Sequence, residues 1–168
     1  MSKLFVNTIH SKTGAAEAIN IQSDGDVEFA GSVVIPKRIH VRAVPNGSAS
    51  YANLNAGSPL PMSVIQEDGD GNAASYYNTS TSVFTAPVSG VYYAAFAVMI
   101  ASATNADFRL NKNGSLYQRF YHNSQRGWHG STTVLLNANE TLMFEQAANS
   151  TDIYQTNFYS FVAFTHLF

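Results

Sequence analysis

The sequence predicts an all-β protein, a sandwich or jelly roll of about ten strands. Strand and turn signals recur from Ile39 to the last residue at the spacing of such folds, about 8 to 12 residues. Eleven apolar residues without a charge, Val91–Ala101, follow a turn at Pro87–Gly90. That run is too short to span a bilayer as a helix, which takes roughly 20 residues. Its aromatic and β-branched content, with Pro and Gly in front, marks a strand. It reads as the central, doubly buried strand of the domain. No amphipathic helix is foreseen in the sequence.

In chain order, residues 1–38 stand apart. Leu4, Phe5, Val6 and Ile9 precede a polar Ser11–Gly14 turn, and Ala18–Ile21, Val27–Ala30 and Val33–Ile35 follow, each bounded by Gly-containing turns or Pro36. Strands this short bury little surface alone, so the segment is expected to be an attachment or trimerising arm, with Leu4, Phe5, Val6 and Ile9 as its particle-attachment residues. From residue 39 the main domain begins. Ile39–Val44 alternates and stops at Pro45-Asn46-Gly47, and Gly47–Pro61 is loop-like. Val64-Ile65 precedes a polar loop, Glu67–Asn72, and Val83–Thr85 precedes the central run. Phe108–Leu110 and Leu116-Tyr117 flank Asn113-Gly114, a tight-hairpin dipeptide. Thr132–Leu136 and Thr141–Phe144 flank a turn at Asn137–Glu140. Phe158–Phe168 closes the chain as a strand with two apolar faces, of which the protomer's own core hides one and a neighbouring subunit the other.

Composition narrows the function. Charged residues make up 12% of the chain, where about 25% is usual, so Asn, Ser and Thr supply much of the polar surface, as suits subunit packing. A net charge of −2 with no basic cluster excludes an electrostatic grip on nucleic acid. The chain has no cysteine, which excludes disulfides, thiol catalysis and thiolate zinc sites. The N-terminus has no secretory apolar segment, so assembly inside a cell and later release is the expectation, without membrane insertion.

The tract Tyr77–Tyr93, with Phe84-Thr85-Ala86-Pro87-Val88-Ser89-Gly90-Val91-Tyr92-Tyr93 at its centre, resembles the signature of the globular complement-head and tumour-necrosis-factor-like jelly roll. Leu110–Gly114 is similar to that family's Lys-Asn-Gly hairpin, Leu135–Phe144 to the next hairpin, and Phe158–Phe168 to its closing strand, although the usual Gly there is replaced by Ala163 or Val162. Trp128 stands where members often keep a Trp. The resemblance covers residues 39–168. It implies a homotrimer whose inner sheets meet around a threefold axis, with recognition by outer loops. On the closing strand's Phe158 face it puts Phe158, Val162, Phe164, His166 and Phe168 at the trimer interface, together with Tyr92. Tyr76, Tyr77, Tyr121, His122, Trp128 and His129 are the expected receptor-facing residues, and the loops Gly47–Leu60, Glu67–Tyr77 and Tyr121–Trp128 are expected to touch the host surface. The cadence of Ala18–Pro36 is also similar to phage tail-fibre and other virion proteins.

Chemistry beyond binding finds few candidates. Glu67–Asn72 sets oxygen ligands at alternate positions, which makes Asp68 and Asp70 calcium candidates. The late bidentate Glu of a helical calcium loop is missing, and a solvated acidic turn is the simpler reading. No other cofactor is expected. The five histidines form no ligand-spaced pair, and no nucleophile, zinc or phosphate motif is present, so the protein is expected not to be an enzyme. The leading expectation is a homotrimeric bacteriophage virion protein, a fibre or fibre tip attaching to a host-surface glycan or protein, docked to other virion proteins by its arm. A capsid decoration or head-fibre protein is the alternative, ahead of a soluble complement- or tumour-necrosis-factor-like ligand.

Overall fold

A computed structural model describes residues 8–10, 17–21, 27–29, 38–47, 51–148, 151–156 and 158–168, with the backbone alone at 8–10, 17–21, 27–29, 51–52, 102–106, 122–125, 148 and 151. The chain divides into two units, residues 1–36 and 37–168. In the first, β1 (Thr8–His10), β2 (Glu17–Ile21) and β3 (Val27–Phe29) form an antiparallel sheet in that order. Its register sets Ile9 opposite Ile19 and Ile19 opposite Phe29. Leu4, Phe5 and Val6 lie outside the described residues, and of Ile9 only the backbone is described.

Among the described residues, the second unit is an all-β jelly-roll sandwich of ten strands and one helical turn. Its elements are β4 (His40–Val44), β5 (Tyr51–Leu54), β6 (Val64–Asp68), α1 (Ala73–Tyr76), β7 (Tyr77–Asn78), β8 (Val83–Thr85), β9 (Gly90–Lys112), β10 (Ser115–Leu136), β11 (Thr141–Ala148), β12 (Thr151–Tyr154) and β13 (Phe161–His166). The run after Gly90 does not stop at Ala101. It continues as one 23-residue strand that serves both layers, because its two halves take different partners. Residues 92–97 pair with β13 and 90–99 with the second half of β10, while 107–112 pair with β11 and the first half of β10. One layer therefore runs β6-β4-β13-β9-β10 and the other β7-β8-β11-β9-β10. The Asn113-Gly114 hairpin closes where expected, with both residues at positive φ (51° and 76°), the backbone that a tight two-residue turn needs.

The core lies between the layers and is aromatic. Phe84 stacks on Phe164 at 4.7 Å across the sandwich, Phe96 meets Phe144 at 5.0 Å, and Phe108 meets Trp128 edge-on at 5.4 Å. Offset and edge-to-face contacts of this kind add to the burial each ring supplies. Phe120 packs over Gly130, where a Cβ would strike its ring.

Three expectations are corrected by the structure. Tyr92, Val162 and Phe164, expected at a subunit interface, are all buried in the protomer's own core. The closing strand does carry two apolar faces, but the one with the bulkier side chains turns inward. A register of period 2 makes that choice for the whole strand at once. The central strand is accordingly buried on one face only: Tyr92, Ala94, Phe96, Val98 and Ile100 point inward, whereas Tyr93 is exposed. The loop expected at Gly47–Pro61 holds a strand, β5, which pairs with β12 in a ribbon against Ile100 of β9.

Candidate functional site

The antiparallel registers sort the loops of residues 37–168 to two ends. His40 opens β4 opposite Thr165, and Gly90, Lys112, Ser115 and Leu136 lie at that same end, so the chain enters there. The far end collects the crossings of β9 and β10 between layers and the β5–β12 ribbon. Of the three loops expected to face a receptor, Gly47–Leu60 and Tyr121–Trp128 thus reach the far end. Glu67–Tyr77 folds beside the entry, because Asp68 pairs with Val41 and the Gly69 N–H donates to the His40 carbonyl at 2.9 Å.

Aromatic side chains crowd the far end. Phe158 is 86% exposed and Tyr121 60%, and Tyr159 is exposed with its ring 6.0 Å from that of Tyr154. The Ser160 hydroxyl donates to the Tyr154 carbonyl (2.9 Å) and the Asn53 amide to Asp152 (2.8 Å), which ties the ribbon to the segment before β13. Among the expected receptor residues, Tyr121 and His129 are exposed. His122 is described by its backbone alone. Trp128 is not available: it is buried against Phe108. Tyr77 is buried too, its hydroxyl donating to the Met62 carbonyl at 3.1 Å, and burial pushes its phenol up to about 12.

The outward face of the β6-β4-β13-β9-β10 layer is the second feature. Tyr93, Ala95 and Ala97 of β9 and Phe161, Ala163 and Thr165 of β13 interleave with the buried set and line it, and Leu135 of β10 stands 68% exposed at its edge. Small side chains leave two shallow hollows that share Ala97 and His129, of about 280 Å³ and 200 Å³. At the far side Arg42 lies over the Phe161 ring (4.7 Å) and reaches Glu67, which also accepts from His40. Phe168, expected at an interface, is 78% exposed, and its carbonyl accepts from Val91. His166 packs on Tyr92 at 5.0 Å and is only partly buried. Sequence reasoning missed the outward set, although a signal was there. Its stripe includes Tyr93 and Phe161 but carries Ala95, Ala97, Ala163 and Thr165 where the other carries Phe96, Val98, Val162 and Phe164, and the core takes the larger volume.

The acidic loop is a brace. Asp68 accepts from the N–H groups of Gly71 (2.7 Å), Asn72 (3.1 Å) and Ala73 (3.0 Å), and Asp70 accepts from the Asn72 N–H (2.9 Å) and the Tyr76 hydroxyl (2.9 Å). Desolvation pulls the Asp68 carboxyl upward, but the backbone donors outweigh it and hold the group below its usual range. These oxygens are directed at the loop's own donors. Among the described residues no group of three or more acidic or His side chains is placed to hold a metal ion.

The model of the C1q domain family matches residues 49–167. Among solved structures, the Eiger TNF of S. frugiperda is similar with a TM-score of 0.65 at 12% identity, over 79% of this chain and 94% of that one. The globular domain of the zebrafish complement 1qA protein is similar with a TM-score of 0.56 at 16% identity, over 77% and 95%. Murine APRIL is similar with a TM-score of 0.56 at 10% identity, over 78% and 100%. No curated protein sequence matches the chain.

Proposed function

The chain belongs to the C1q domain family, and we propose that it is the homotrimeric head of a bacteriophage fibre or fibre tip that attaches the particle to a host surface. C1q- and TNF-type domains are non-enzymatic structural or ligand domains and are commonly homotrimeric. The observation that carries the trimer is the outward face of the β6-β4-β13-β9-β10 layer, whose Tyr93, Ala95, Ala97, Phe161 and Ala163 form an apolar patch rimmed by Leu135. A contiguous patch of that kind marks an interaction surface, and a heterologous contact that closes a ring leaves none of it bare. The virion reading is supported by the cadence of Ala18–Pro36 and by a surface poor in charge. The far-end aromatics, carried three to a head, are the surface offered to the host. Three linked weak sites gain by effective concentration.

Light scattering on the purified chain tests the trimer. Three chains of 18.2 kDa make a particle of about 55 kDa, and a monomer overturns the interface and the multivalent mechanism together. Antibody labelling of intact particles tests the location. Signal at fibre or tail tips agrees with attachment, and signal over the capsid refutes it in favour of decoration.

A further inference from the structure

A hollow lies on the flank of the head, away from both the apolar face and the far end. It measures about 410 Å³ and opens where the edge strands of the two layers, β6 and β7, are bridged by α1. Tyr76, Ser75, Asn78, Thr79 and Thr85 line it, with Ile65 as an apolar patch. Among the described residues no charged side chain lines it, so none of them would compensate the charge of a phosphate, a carboxylate or an ammonium group. What the lining offers is three aliphatic hydroxyls, each both donor and acceptor, an amide, and the rings of Tyr76 and the buried Tyr77.

Two of these groups are held in place before any ligand arrives. The Asn78 Oδ1 accepts from the N–H groups of Ser80 (2.9 Å) and Thr81 (3.2 Å), which orients the amide and leaves its nitrogen as a donor. The Tyr76 ring is fixed at one end by α1 and at the other by its hydroxyl bond to Asp70, itself braced by the Asp68 loop. The acidic loop thereby holds the Tyr76 hydroxyl in place. The volume is that of a small-ligand pocket. Neutral hydroxyls facing a rigid ring match a molecule with apolar C–H faces and hydroxyls around its rim.

We propose that this flank crevice is a binding site for a neutral saccharide of one or two rings, with Tyr76 stacking on a sugar face, Ser75, Thr79, Thr85 and Asn78 bonding its hydroxyls, and Asp70 as the positioning residue for Tyr76. The site is complete within one protomer, so it stands or falls independently of the trimer and of the virion reading.

Saturation-transfer NMR on the full chain, with methyl glucoside, methyl galactoside, N-acetylglucosamine, maltose and lactose as probes and galacturonate as the charged control, tests it. At least one neutral probe is expected to bind more tightly than galacturonate. Tyr76→Ala is expected to weaken that probe by at least about tenfold. The near-isosteric Thr79→Val and Thr85→Val should each weaken it several-fold with circular dichroism unchanged. Asp70→Ala should weaken it, and Asp70→Asn, which keeps an acceptor for the Tyr76 hydroxyl, should restore it. The proposal is overturned if no neutral probe binds, if galacturonate binds equally well, or if binding survives Tyr76→Ala and both Thr variants. Native mass measured on the same samples separates the two readings, since a monomer that binds sugar sinks only the trimer and a trimer that binds none sinks only the crevice.

Discussion

Gly90 shows how much one position can decide. It opens β9 at φ 157°, and a Cβ there would strike the His166 imidazole and come within 2.6 Å of the Phe168 carbonyl oxygen. Gly90→Ala is expected to destabilise the head by about 2 kcal/mol, seen as a lower thermal midpoint. Carboxylates carry the acid response. Hydrogen bonds from Lys112 and from the Asn137 N–H hold Glu140 below its usual range, and backbone donors do the same for Asp68. A depressed folded-state value means that the stabilisation is present above the unfolded value and is lost as pH falls through the folded one. The melting temperature should therefore be flat near neutrality and fall as pH drops through and below the ordinary carboxylate range. Glu140→Gln should remove part of that slope. An unchanged slope would mean that Glu140 does not contribute. Asp68 and Asp70 were readable in the sequence as oxygen-rich positions. That their oxygens turn to the loop's own N–H groups depends on backbone torsions that spacing does not specify.

At the scale of the element, β13 carries the sharpest contrast. Val162 and Phe164 are in the core, while Phe161, Ala163 and Thr165 line the outward face. Val162→Asp buries an unpaired carboxylate and should unfold the protomer at a cost of several kcal/mol. Ala163→Glu should leave the protomer's circular dichroism and melting intact while reducing the native mass from trimer to monomer. If Ala163→Glu remains trimeric, the subunit contact lies on another surface. Hairpin turns were legible because Asn113-Gly114 and Asn137–Glu140 encode their own geometry. The inward face of β13 was not, because both stripes are apolar and alternation alone cannot rank them. Side-chain volume against the opposite layer breaks the tie: Phe164 fills the space between Phe84 and Phe144, and no Ala could. The β5–β12 ribbon escaped notice for a related reason, since its partners are separated by about a hundred positions and neither segment alternates clearly.

For the whole molecule, the division at residues 36 and 37 makes the arm separable by experiment. Removing residues 1–36 is expected to leave a folded, trimeric head that no longer joins the particle. Normal incorporation of the truncated chain would refute the arm's attachment role. Loss of the trimer on truncation would move the assembly contacts from the outward sheet face to the arm. The two ends of the head also bear on function, because β4 brings the chain in at one end and the registers of β9 and β10 send the aromatic loops to the other.

What the sequence determined by itself was local and periodic: an all-β chain, its hairpin turns, a charge-poor surface, the absence of thiols, and the family to which the Phe84–Tyr93 tract belongs. Each of these resides in neighbouring residues and needs no knowledge of what packs opposite. The tertiary structure decided the rest. It chose which apolar stripe became core, buried Trp128 and Tyr77, and left Phe158 and Tyr121 exposed. It also gathered Ile65, Tyr76, Asn78 and Thr85 from four elements around one crevice. Those outcomes depend on volumes and distances between segments far apart in the chain, and only the closed sandwich brings such segments together.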